Sequence, residues 1–323
     1  MKVGMDVSPL LQTRAGTARY VKALLRELPE VRRLSFGGAG RASTLLRDAL
    51  WYPFLIPTGG LDVLHCPTYR GPVRSRTPVV VTVHDLAVFR HPEAFNRWTR
   101  TYSPVVVPRV LTAAARVIAV SEFTRGELVE LLDVPVEKIR VVPNGVEDAF
   151  APEGPAAEGD YVLAVGTLEP RKNLPRLAEA ARRADVELRV VGARGWGGVE
   201  VEGNGIRWLG EVPDEELARL YRGALCLAYP SLYEGFGIPL VEAMACGTAV
   251  VASNRSSVPE VVEGAGLLFD PASDDLADIL LSLVDNPAER ERLVTLGRER
   301  ARDFSWDRTA AQTVDVYRSV VDK

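Results

Sequence analysis

Short apolar runs alternate with segments of helical periodicity along the whole chain, and this alternation restricts the fold more than any other feature. Continuous apolar runs separated by helices are typical of parallel strands that helices cover on both faces. Between the first two runs, Val21, Leu24, Leu25 and Leu28 follow the helical spacing and predict a helix from Arg19 to Leu28. The sequence therefore predicts an α/β fold. The predicted strands are KVGMDV, DVLHC, PVVVTV, RVIAV, IRVVP, YVLAV, ELRVV, IRWL, LCLAY, AVVA and GLLF.

The segment APEGPAAEGD, residues 151–160, interrupts this alternation with the composition of a linker. It predicts two doubly wound Rossmann-like domains, residues 1–150 and 161–304, with a ligand cleft between them at the carboxyl ends of their strands. The last segment, 305–323, is an amphipathic helix with Ser305 as its cap, and either domain could receive it, the N-terminal one included.

Composition supports two domains and a reducing compartment. The chain has 323 residues, 47% hydrophobic and 25% charged, which is enough apolar material for two cores. The three cysteines lie far apart among apolar neighbours, so we expect buried free thiols. No apolar stretch reaches the roughly 18 residues that cross a bilayer, and the start lacks the apolar region of a signal peptide. These features predict a cytoplasmic protein.

The segment SLYEGFGIPLVEAMACGTAVVAS, residues 231–253, carries the strongest functional signal. Pro239 suits the first turn of a helix and Gly247 suits its end, so we predict a helix from Ile238 to Cys246. Its free N–H groups and the positive end of its dipole face the glycine-bracketed turn EGFG. This arrangement predicts a site for an anion such as phosphate.

Two carboxylates flank this predicted anion site. Glu242 lies one turn into the helix, and helical side chains lean toward the N-terminus, so its carboxylate can accept hydrogen bonds from ribose hydroxyls. Glu234 precedes the turn and would lie on the other side of the phosphates. Two acids around a diphosphate indicate a nucleotide sugar. The alternative, a surface loop leading into a core helix, leaves an acid within an apolar segment unexplained.

The segment resembles the Glu-x7-Glu motif of retaining nucleotide-sugar glycosyltransferases with the GT-B fold, glycosyltransferase family 4. GTARY, TVHDL, VSEFTR, VPNGV, VGTLEPRKN, LGEVPDEEL and PEVV recur in the order of that family and cover nearly the whole chain. The resemblance implies that Glu242 holds the ribose and that Glu234 lies near the donor sugar. It also implies that backbone groups of Gly235, Phe236, Gly237 and Ile238 meet the sugar and the diphosphate.

Arg171 and Lys172, in GTLEPRKN, stand where the family has its phosphate-binding basic pair. Many relatives carry a further Arg directly after the glycine, and this chain has Thr167 there, so the clamp would depend on Lys172 with Arg171 compensating. Two solvated charges at a helix start are the alternative, although cations oppose the helix dipole there.

The base and the sugar receive weaker predictions. The backbone near Val212 matches the part of the family that contacts the base, and Gly16, after the first strand, matches a glycine that lets backbone amides approach phosphate or sugar. Gly16 also suits a simple turn.

His84 and Asp85 follow the strand PVVVTV, at the predicted ligand edge of the first sheet. By resemblance, His84 would touch the donor sugar or its phosphate and order the acceptor, and Asp85 would orient His84 or bind the acceptor hydroxyl. We interpret His65 and His91 as structural residues.

The resemblance implies a hexosyltransferase that retains the anomeric configuration, with GDP-mannose as the first candidate donor and other GDP- or UDP-sugars open. We expect front-face attack, in which the leaving diphosphate takes the acceptor proton. The chain has no D-x-D triplet, so we expect no metal, and we expect no cofactor.

The acceptor is predicted to be a glycan or a lipid-linked sugar, bound by the N-terminal domain, and no nucleic acid partner is expected. The segment RASTLLRDALWYPFLIP combines Arg41 and Arg47 with Trp51, Tyr52 and Phe54. A basic aromatic face of this kind predicts peripheral contact with the inner face of the membrane. A core helix with two exposed arginines is the alternative.

Two other functions are compatible with the fold. A non-catalytic nucleotide-sugar-binding subunit would keep Glu242 and Lys172 but lose Glu234 or His84, and both are present. A nucleotide-sugar epimerase of related fold would need a different set of acids and bases.

Overall fold

The computed structural model describes residues 1–11, 16–38, 40–95, 97–195, 197–199, 201 and 203–321, and it gives the backbone alone for Arg41 and Thr44. The chain forms two compact units. Unit 1 comprises Met1–Gly145 and Trp306–Lys323, and unit 2 comprises Val146–Ser305. Each unit is built on a six-stranded parallel sheet, which confirms the prediction of two parallel α/β domains.

In unit 1, helices cover both faces of the sheet. Alternate residues of the strand 79–83 enter different cores, Val79 and Val81 on one face and Val80 on the other. Strands covered on both faces need apolar side chains at every position. The strands are β1 (Val3–Asp6), β2 (Arg32–Leu34), β3 (Val63–Cys66), β4 (Val79–Val83), β5 (Arg116–Ala119) and β6 (Ile139–Val141), in the order β2-β1-β3-β4-β5-β6. The helices are α1 (Gly16–Glu27), α2 (Arg41–Leu46), α3 (Ala87–Arg90), α4 (Arg97–Ala113) and α5 (Glu122–Leu132).

Unit 2 has the same architecture with another strand order. The strands are β7 (Tyr161–Val165), β8 (Glu187–Val191), β9 (Ile206–Gly210), β10 (Cys226–Tyr229), β11 (Val250–Ser253) and β12 (Leu267–Phe269), in the order β12-β11-β10-β7-β8-β9. The helices are α6 (Leu174–Arg183), α7 (Asp214–Gly223), α8 (Ile238–Cys246), α9 (Val258–Val262), α10 (Leu276–Asp285) and α11 (Pro287–Ala301). The order reverses between β10 and β7, and ligands of open parallel sheets bind beside such a reversal, at the carboxyl ends of the strands.

The last helix, α12 (Trp306–Val321), returns to unit 1 and packs on α1. Trp306 shares a core with Tyr20 and Leu24 of α1, and Tyr317 packs with Val63 of β3. Both ends of the chain therefore build unit 1.

The segment 151–160, with its linker composition, lies within unit 2, and the division between the units falls earlier, at Gly145 and Val146. Its backbone is bonded to α7: the N–H of Ala157 donates to the carbonyl of Arg219 at 2.9 Å, and Arg222 donates to the carbonyl of Pro155 at 2.8 Å. Irregular backbone packs stably when its polar groups have such partners.

One short strand, β2, has no counterpart among the predicted strands, although each predicted strand is present. Two of its residues, Arg32 and Arg33, are exposed at the edge of the sheet, so it carries no apolar signal. Helix α1 begins at Gly16, as the polar turn before it indicates, and so extends three residues ahead of the apolar spacing that starts at Arg19.

The predicted basic face of residues 41–57 is wrong at Arg47, which is buried together with Trp51 and Tyr52. A π-helical segment, Arg47–Leu55, contains Pro53 and follows α2 directly. Its wider turn changes which side chains point inward, so the regular helical period fails there. The side chain of Arg41 lies outside the described residues. The large apolar side chains exposed in this segment are Leu45, Leu46, Leu50, Phe54 and Leu55.

Among the described residues, none of the helices has both the length and the apolar character that crossing a membrane requires.

Candidate functional site

Helix α8 has the bounds that its proline and glycine predict, Ile238–Cys246. Gly237 and Gly247 flank it with φ of 105° and 76°, in the left-handed region that favours glycine. A side chain at Gly237 would place its Cβ 2.8 Å from a methyl of Leu240. The turn before α8 therefore requires glycine, and the N–H groups of the first helical turn face it.

Two serines before α9 hold the EGFG turn. The N–H of Glu234 donates to the hydroxyl of Ser256 at 2.9 Å. The hydroxyl of Ser257 lies 3.0 Å from the carbonyl of Glu234 and 2.9 Å from that of Phe236, and it donates to both. These bonds fix the backbone of the turn.

Glu234 forms ion pairs with both members of the basic pair. Lys172 Nζ lies 2.5 Å from one carboxylate oxygen, and Arg171 Nη1 lies 3.3 Å from the other. Arg171 is shared, since its Nε lies 2.7 Å from Glu169. Three residues that the sequence singled out separately are thus brought into direct contact, in unit 2, at the carboxyl end of the sheet.

The cations control the charge of Glu234. Burial opposes ionisation, but the attraction of Lys172 and Arg171 outweighs it and lowers the pKa of Glu234 to about 2. The carboxylate is therefore ionised at neutral pH. Such a weak base is a poor proton acceptor, and it suits a hydrogen-bond or electrostatic role.

Lys172 is positioned by Tyr229 and by Gly166. Its ammonium lies 3.3 Å from the hydroxyl of Tyr229 and 5.3 Å from the centre of that ring. A Cβ at Gly166 would lie 3.3 Å from the Lys172 stem, so the missing side chain makes room for it. Burial, and after it the charge of Glu234, raises the pKa of Tyr229 well above its ordinary value, so the phenol stays protonated.

Glu242 is buried within α8, with 2% of its surface exposed. The hydroxyl of Tyr221, on α7, donates to one of its carboxylate oxygens at 3.0 Å. A buried carboxylate needs such partners, which explains an acid in this apolar helix. Glu242 therefore lies in the helix that follows the turn, and Tyr221 orients its carboxylate.

Thr167 and Val212 follow the carboxyl ends of β7 and β9, the two strands that flank β8. Glycines of the chain after β8 bring this edge together: a Cβ at Gly192 would meet the carbonyl oxygen of Gly166 at 2.0 Å, and one at Gly195 would meet that of Leu168 at 2.4 Å. Both predicted residues thus border the edge that carries Lys172.

His84, Asp85 and Gly16 lie in unit 1. The ring nitrogen Nε2 of His84 donates to the carbonyl of Pro67 at 3.0 Å, so neutral His84 keeps Nδ1 as an acceptor. Burial lowers the pKa of His84, which favours this neutral form. Asp85 accepts the N–H of Ala87 at 3.1 Å and so supports the start of α3. Gly16 begins α1, one turn before Tyr20, whose ring packs edge-on against His84.

Sequence reasoning missed Tyr229, Ser256, Ser257, Tyr221 and Glu169. Each of them acts through another residue of the site, and a single sequence shows no pairing across such distances. The only local signal was the pair of serines directly before the Val-Pro that starts α9.

Within the described part of the chain, no cluster of three or more histidine, cysteine or acidic side chains has a geometry that could hold a metal ion.

Family comparisons cover both units. Residues 2–150 match the family described as Glycosyltransferase Family 4, and residues 146–300 match Glycosyl transferases group 1. O-antigen chain mannosyltransferase B of Escherichia coli is 36% identical over 79% of this chain and 74% of its own. The MMP alpha-(1->4)-mannosyltransferase of Mycolicibacterium hassiacum is 34% identical over 76% of this chain and 66% of its own.

Solved structures share the fold at low identity. Sucrose-phosphate synthase of Thermosynechococcus elongatus has a TM-score of 0.77 at 21% identity, covering 99% of each chain. HepE of Anabaena, in complex with UDP-glucose, has a TM-score of 0.76 at 20% identity, covering 99% of this chain and all of its own. The GT-B architecture is thereby confirmed. Together, the two family matches and the similarity to the mannosyltransferases show that the chain is a glycosyltransferase and belongs to glycosyltransferase family 4.

Proposed function

We propose that this glycosyltransferase moves a hexose, with mannose as the first candidate, from a GDP- or UDP-sugar to a hydroxyl of a glycan or lipid-linked acceptor, with retention of configuration. The observation that carries the proposal is the cluster of Lys172, Arg171 and Glu234 beside the start of α8. The names of the mannosyltransferase relatives support the sugar, and the HepE complex supports a nucleotide-sugar donor.

In this proposal the diphosphate binds Lys172 and Arg171, together with the N–H groups at the start of α8. Negative charge grows on the diphosphate as the glycosidic bond breaks, and cations held in place stabilise that charge. Tyr229 and Gly166 pre-position Lys172, which exchanges its contact with Glu234 for the phosphate. These cations supply what a metal ion supplies in other transferases, and we therefore propose metal-independent transfer.

Glu234 then exchanges its cations for hydroxyls of the donor sugar. While Glu234 is paired with Lys172 and Arg171, its pKa of about 2 makes it a poor proton acceptor. In the donor complex its oxygens accept from sugar hydroxyls instead of attacking the anomeric carbon, so this proposal needs no covalent glycosyl-enzyme. We propose front-face attack, in which a phosphate oxygen of the leaving group takes the proton of the acceptor hydroxyl. Catalysis then consists of positioning and charge stabilisation.

We assign the ribose to Glu242 and the base to the strand edge near Val212. We assign the acceptor hydroxyl to the edge of unit 1 that carries His84 and Asp85. The acceptor nitrogen of His84, Nδ1, suits a hydrogen bond from a sugar hydroxyl.

A donor panel tests the proposal. The purified protein is incubated with GDP-mannose, GDP-glucose, UDP-glucose, UDP-galactose and UDP-N-acetylglucosamine, and its melting temperature and the release of nucleoside diphosphate are measured. We expect one donor to raise the melting temperature and to be consumed, because a ligand that binds only the folded state stabilises it. Proton NMR of the early product then reports retention or inversion at the anomeric carbon.

The Lys172→Met variant is the matched control for this panel, since it keeps the stem and removes the charge. We expect it to lose both the thermal shift and the turnover. If no donor binds the wild-type protein, the proposal fails. Binding without consumption in the presence of glycan and lipid-linked acceptors would favour a non-catalytic binding subunit, and epimerised nucleotide sugar would favour an epimerase.

The lipid-linked acceptor implies contact with a membrane surface. Phe54 and Leu55 are 77% and 59% exposed, and Leu45, Leu46 and Leu50 of the same segment are exposed as well. Exposed apolar side chains on one face can enter the boundary between headgroups and acyl chains. We expect the protein to float with phosphatidylglycerol vesicles and Phe54→Asp to weaken this, whereas Leu281→Asp, at an exposed leucine of unit 2, leaves it unchanged. Absence of wild-type flotation would contradict membrane contact.

A further inference from the structure

The C-terminal helix α12 presents three buried polar side chains to unit 1 at four-residue spacing: Thr309, Thr313 and Tyr317. Residues four apart lie on one face of a helix. A purely apolar face would suffice to bury α12. Each of these polar groups therefore needs a hydrogen-bond partner within the unit.

The partners form a chain of hydrogen bonds whose direction can be deduced from one end. The hydroxyl of Thr313 donates to the carbonyl of Thr309 at 2.7 Å, and it lies beside the phenol of Tyr20, from which it can then only accept. The phenol proton of Tyr20 is thereby used. Its oxygen must then accept from Thr82, whose hydroxyl lies 3.0 Å away.

The chain of hydrogen bonds continues to His65 and returns to α12. Because the proton of Thr82 points to Tyr20, the oxygen of Thr82 accepts from Nε2 of His65 at 2.9 Å. Nδ1 of neutral His65 is then an acceptor, and the hydroxyl of Tyr317 donates to it at 2.7 Å. A closed circuit thus joins α12, β3, β4 and α1, and it specifies one tautomer of His65.

In this circuit the hydroxyl of Tyr20 donates one hydrogen bond and accepts another. The ring of Tyr20 faces His84. The centres of the two rings are 4.9 Å apart, with an angle of 80° between their planes. His84 has two described restraints on its ring: this aromatic edge and the carbonyl of Pro67. The hydrogen bonds that lead to α12 thus fix the position of Tyr20, and the ring of Tyr20 in turn helps to fix the ring of His84.

We propose that Tyr317, Thr313 and Tyr20 are positioning residues for transfer: α12 fixes the ring of Tyr20, and Tyr20 holds the imidazole of His84 in its working orientation. The inference rests on the proposed role of His84 at the acceptor. It gives α12 a function beyond burying apolar surface, since the last helix of the chain orients a residue at the end of the fourth strand.

Histidine NMR tests the proposal directly, because the chain has only three histidines, His65, His84 and His91. With ¹⁵N-labelled histidine, we expect His65 and His84 each to show the Nε2–H tautomer in the wild-type protein. In Tyr317→Phe and in Thr313→Val we expect the ring signals of His84 to shift. We also expect kcat to fall about tenfold, with the donor KM changed by less than about twofold, because loss of orientation affects the reacting geometry more than donor binding.

Ser319→Ala is the matched control. It removes a hydroxyl from the same helix, but that hydroxyl bonds only the nearby carbonyl of Val316. We expect wild-type His84 signals and wild-type kcat. Thr313→Val keeps the shape of the side chain and stands as the second variant if Tyr317→Phe does not fold.

His84→Ala separates the two ways in which the account can fail. If His84→Ala loses turnover while Tyr317→Phe and Thr313→Val keep both the His84 signals and kcat, the positioning inference is overturned. If His84→Ala keeps full turnover, the proposed role of His84 fails instead.

Discussion

At the residue scale, the site depends on one carboxylate and two cations that come from a segment 62 positions earlier in the sequence. In the structure Glu234 holds Lys172 and Arg171. A diphosphate would require the same two cations. Glu234 and the donor phosphates therefore compete for one set of positive charges, and this competition determines what substitutions at the site do.

The Glu234→Gln variant should bind free nucleoside diphosphate more tightly than the wild-type protein and yet turn over more slowly. Removing the carboxylate frees the cations and removes a like charge from the phosphates, so we expect GDP or UDP affinity to rise roughly fivefold. Loss of the contact to the donor sugar should lower kcat by about a hundredfold or more. Calorimetry and initial rates measure the two effects.

Glu187→Gln is the control for this change, since Glu187 pairs with Arg189 at 2.9 Å at the opposite end of β8. It should leave both quantities unchanged. Weaker binding of the free diphosphate to Glu234→Gln would contradict the competition between carboxylate and phosphate.

The Glu242→Gln variant tests the ribose assignment. A carboxylate accepts two hydrogen bonds from vicinal hydroxyls, whereas an amide offers one acceptor and keeps its bond from Tyr221. We expect the wild-type protein to prefer the ribonucleotide over its 2′-deoxy analogue by about tenfold and the variant to lose this preference. Equal discrimination in both proteins, measured by competition calorimetry, would remove the assignment.

Residue types at this site were predictable from the sequence, but their pairings were not. The glycines, Pro239 and the two acids carry local signals, because each satisfies a backbone or charge requirement of its own segment. Tyr221 and Tyr229 carry none, since a tyrosine in a helix or at a strand end suits a core equally well. Arg47 was misplaced because its burial depends on an irregular helical turn.

At the element scale, the nine residues of α8 carry Glu242 and the N–H groups proposed to bind phosphate, directly after the turn. Its bounds were predictable because proline and glycine mark its ends by steric rules alone. The edge strand β2 was not predictable, because three residues with two exposed arginines contribute little burial. Contacts that α12 makes with β3 and β5 also required the folded chain.

The Gly237→Ala variant should disturb α8 at its start. A side chain there must adopt φ of 105° and approach Leu240 to 2.8 Å, so we expect a loss of about 1–3 kcal/mol in the free energy of unfolding and weaker diphosphate binding. Gly126→Ala is the matched control within α5, where an added Cβ meets no atom within 4 Å. It should be neutral or slightly stabilising. Urea unfolding decides, and similar losses at both positions would contradict the conformational argument.

His65 should make unit 1 less stable in acid. Burial, followed by the charge of His84, lowers the pKa of His65 from 6.5 to about 3, so the unfolded chain takes up this proton first as the pH falls. The contribution of neutral His65 to the free energy of unfolding is complete above about pH 6.5. It declines as the pH falls toward 3, by up to about 1.4 kcal/mol per pH unit. We expect His65→Gln to reduce the slope of the unfolding free energy between pH 6.5 and 5. An unchanged slope in His65→Gln would contradict a buried neutral His65.

At the scale of the whole molecule, two parallel α/β units follow from the alternation of apolar runs and helices. The strand orders do not, because every parallel arrangement buries the same runs. The return of α12 to unit 1 was also open in the sequence, since an amphipathic helix fits either unit. The residues proposed to bind the donor gather in unit 2, whereas His84 and Asp85 belong to unit 1. Each unit thus contributes separate chemistry to the proposed reaction.

A crystal structure of the protein with GDP or UDP would show whether the diphosphate binds Lys172 at the start of α8. We expect Lys172 Nζ to leave Glu234 and to lie within hydrogen-bond distance of a phosphate oxygen, beside the start of α8. We expect Glu242 to accept hydrogen bonds from the ribose hydroxyls. A nucleotide bound elsewhere, with the ion pair between Lys172 and Glu234 still at 2.5 Å, would contradict it.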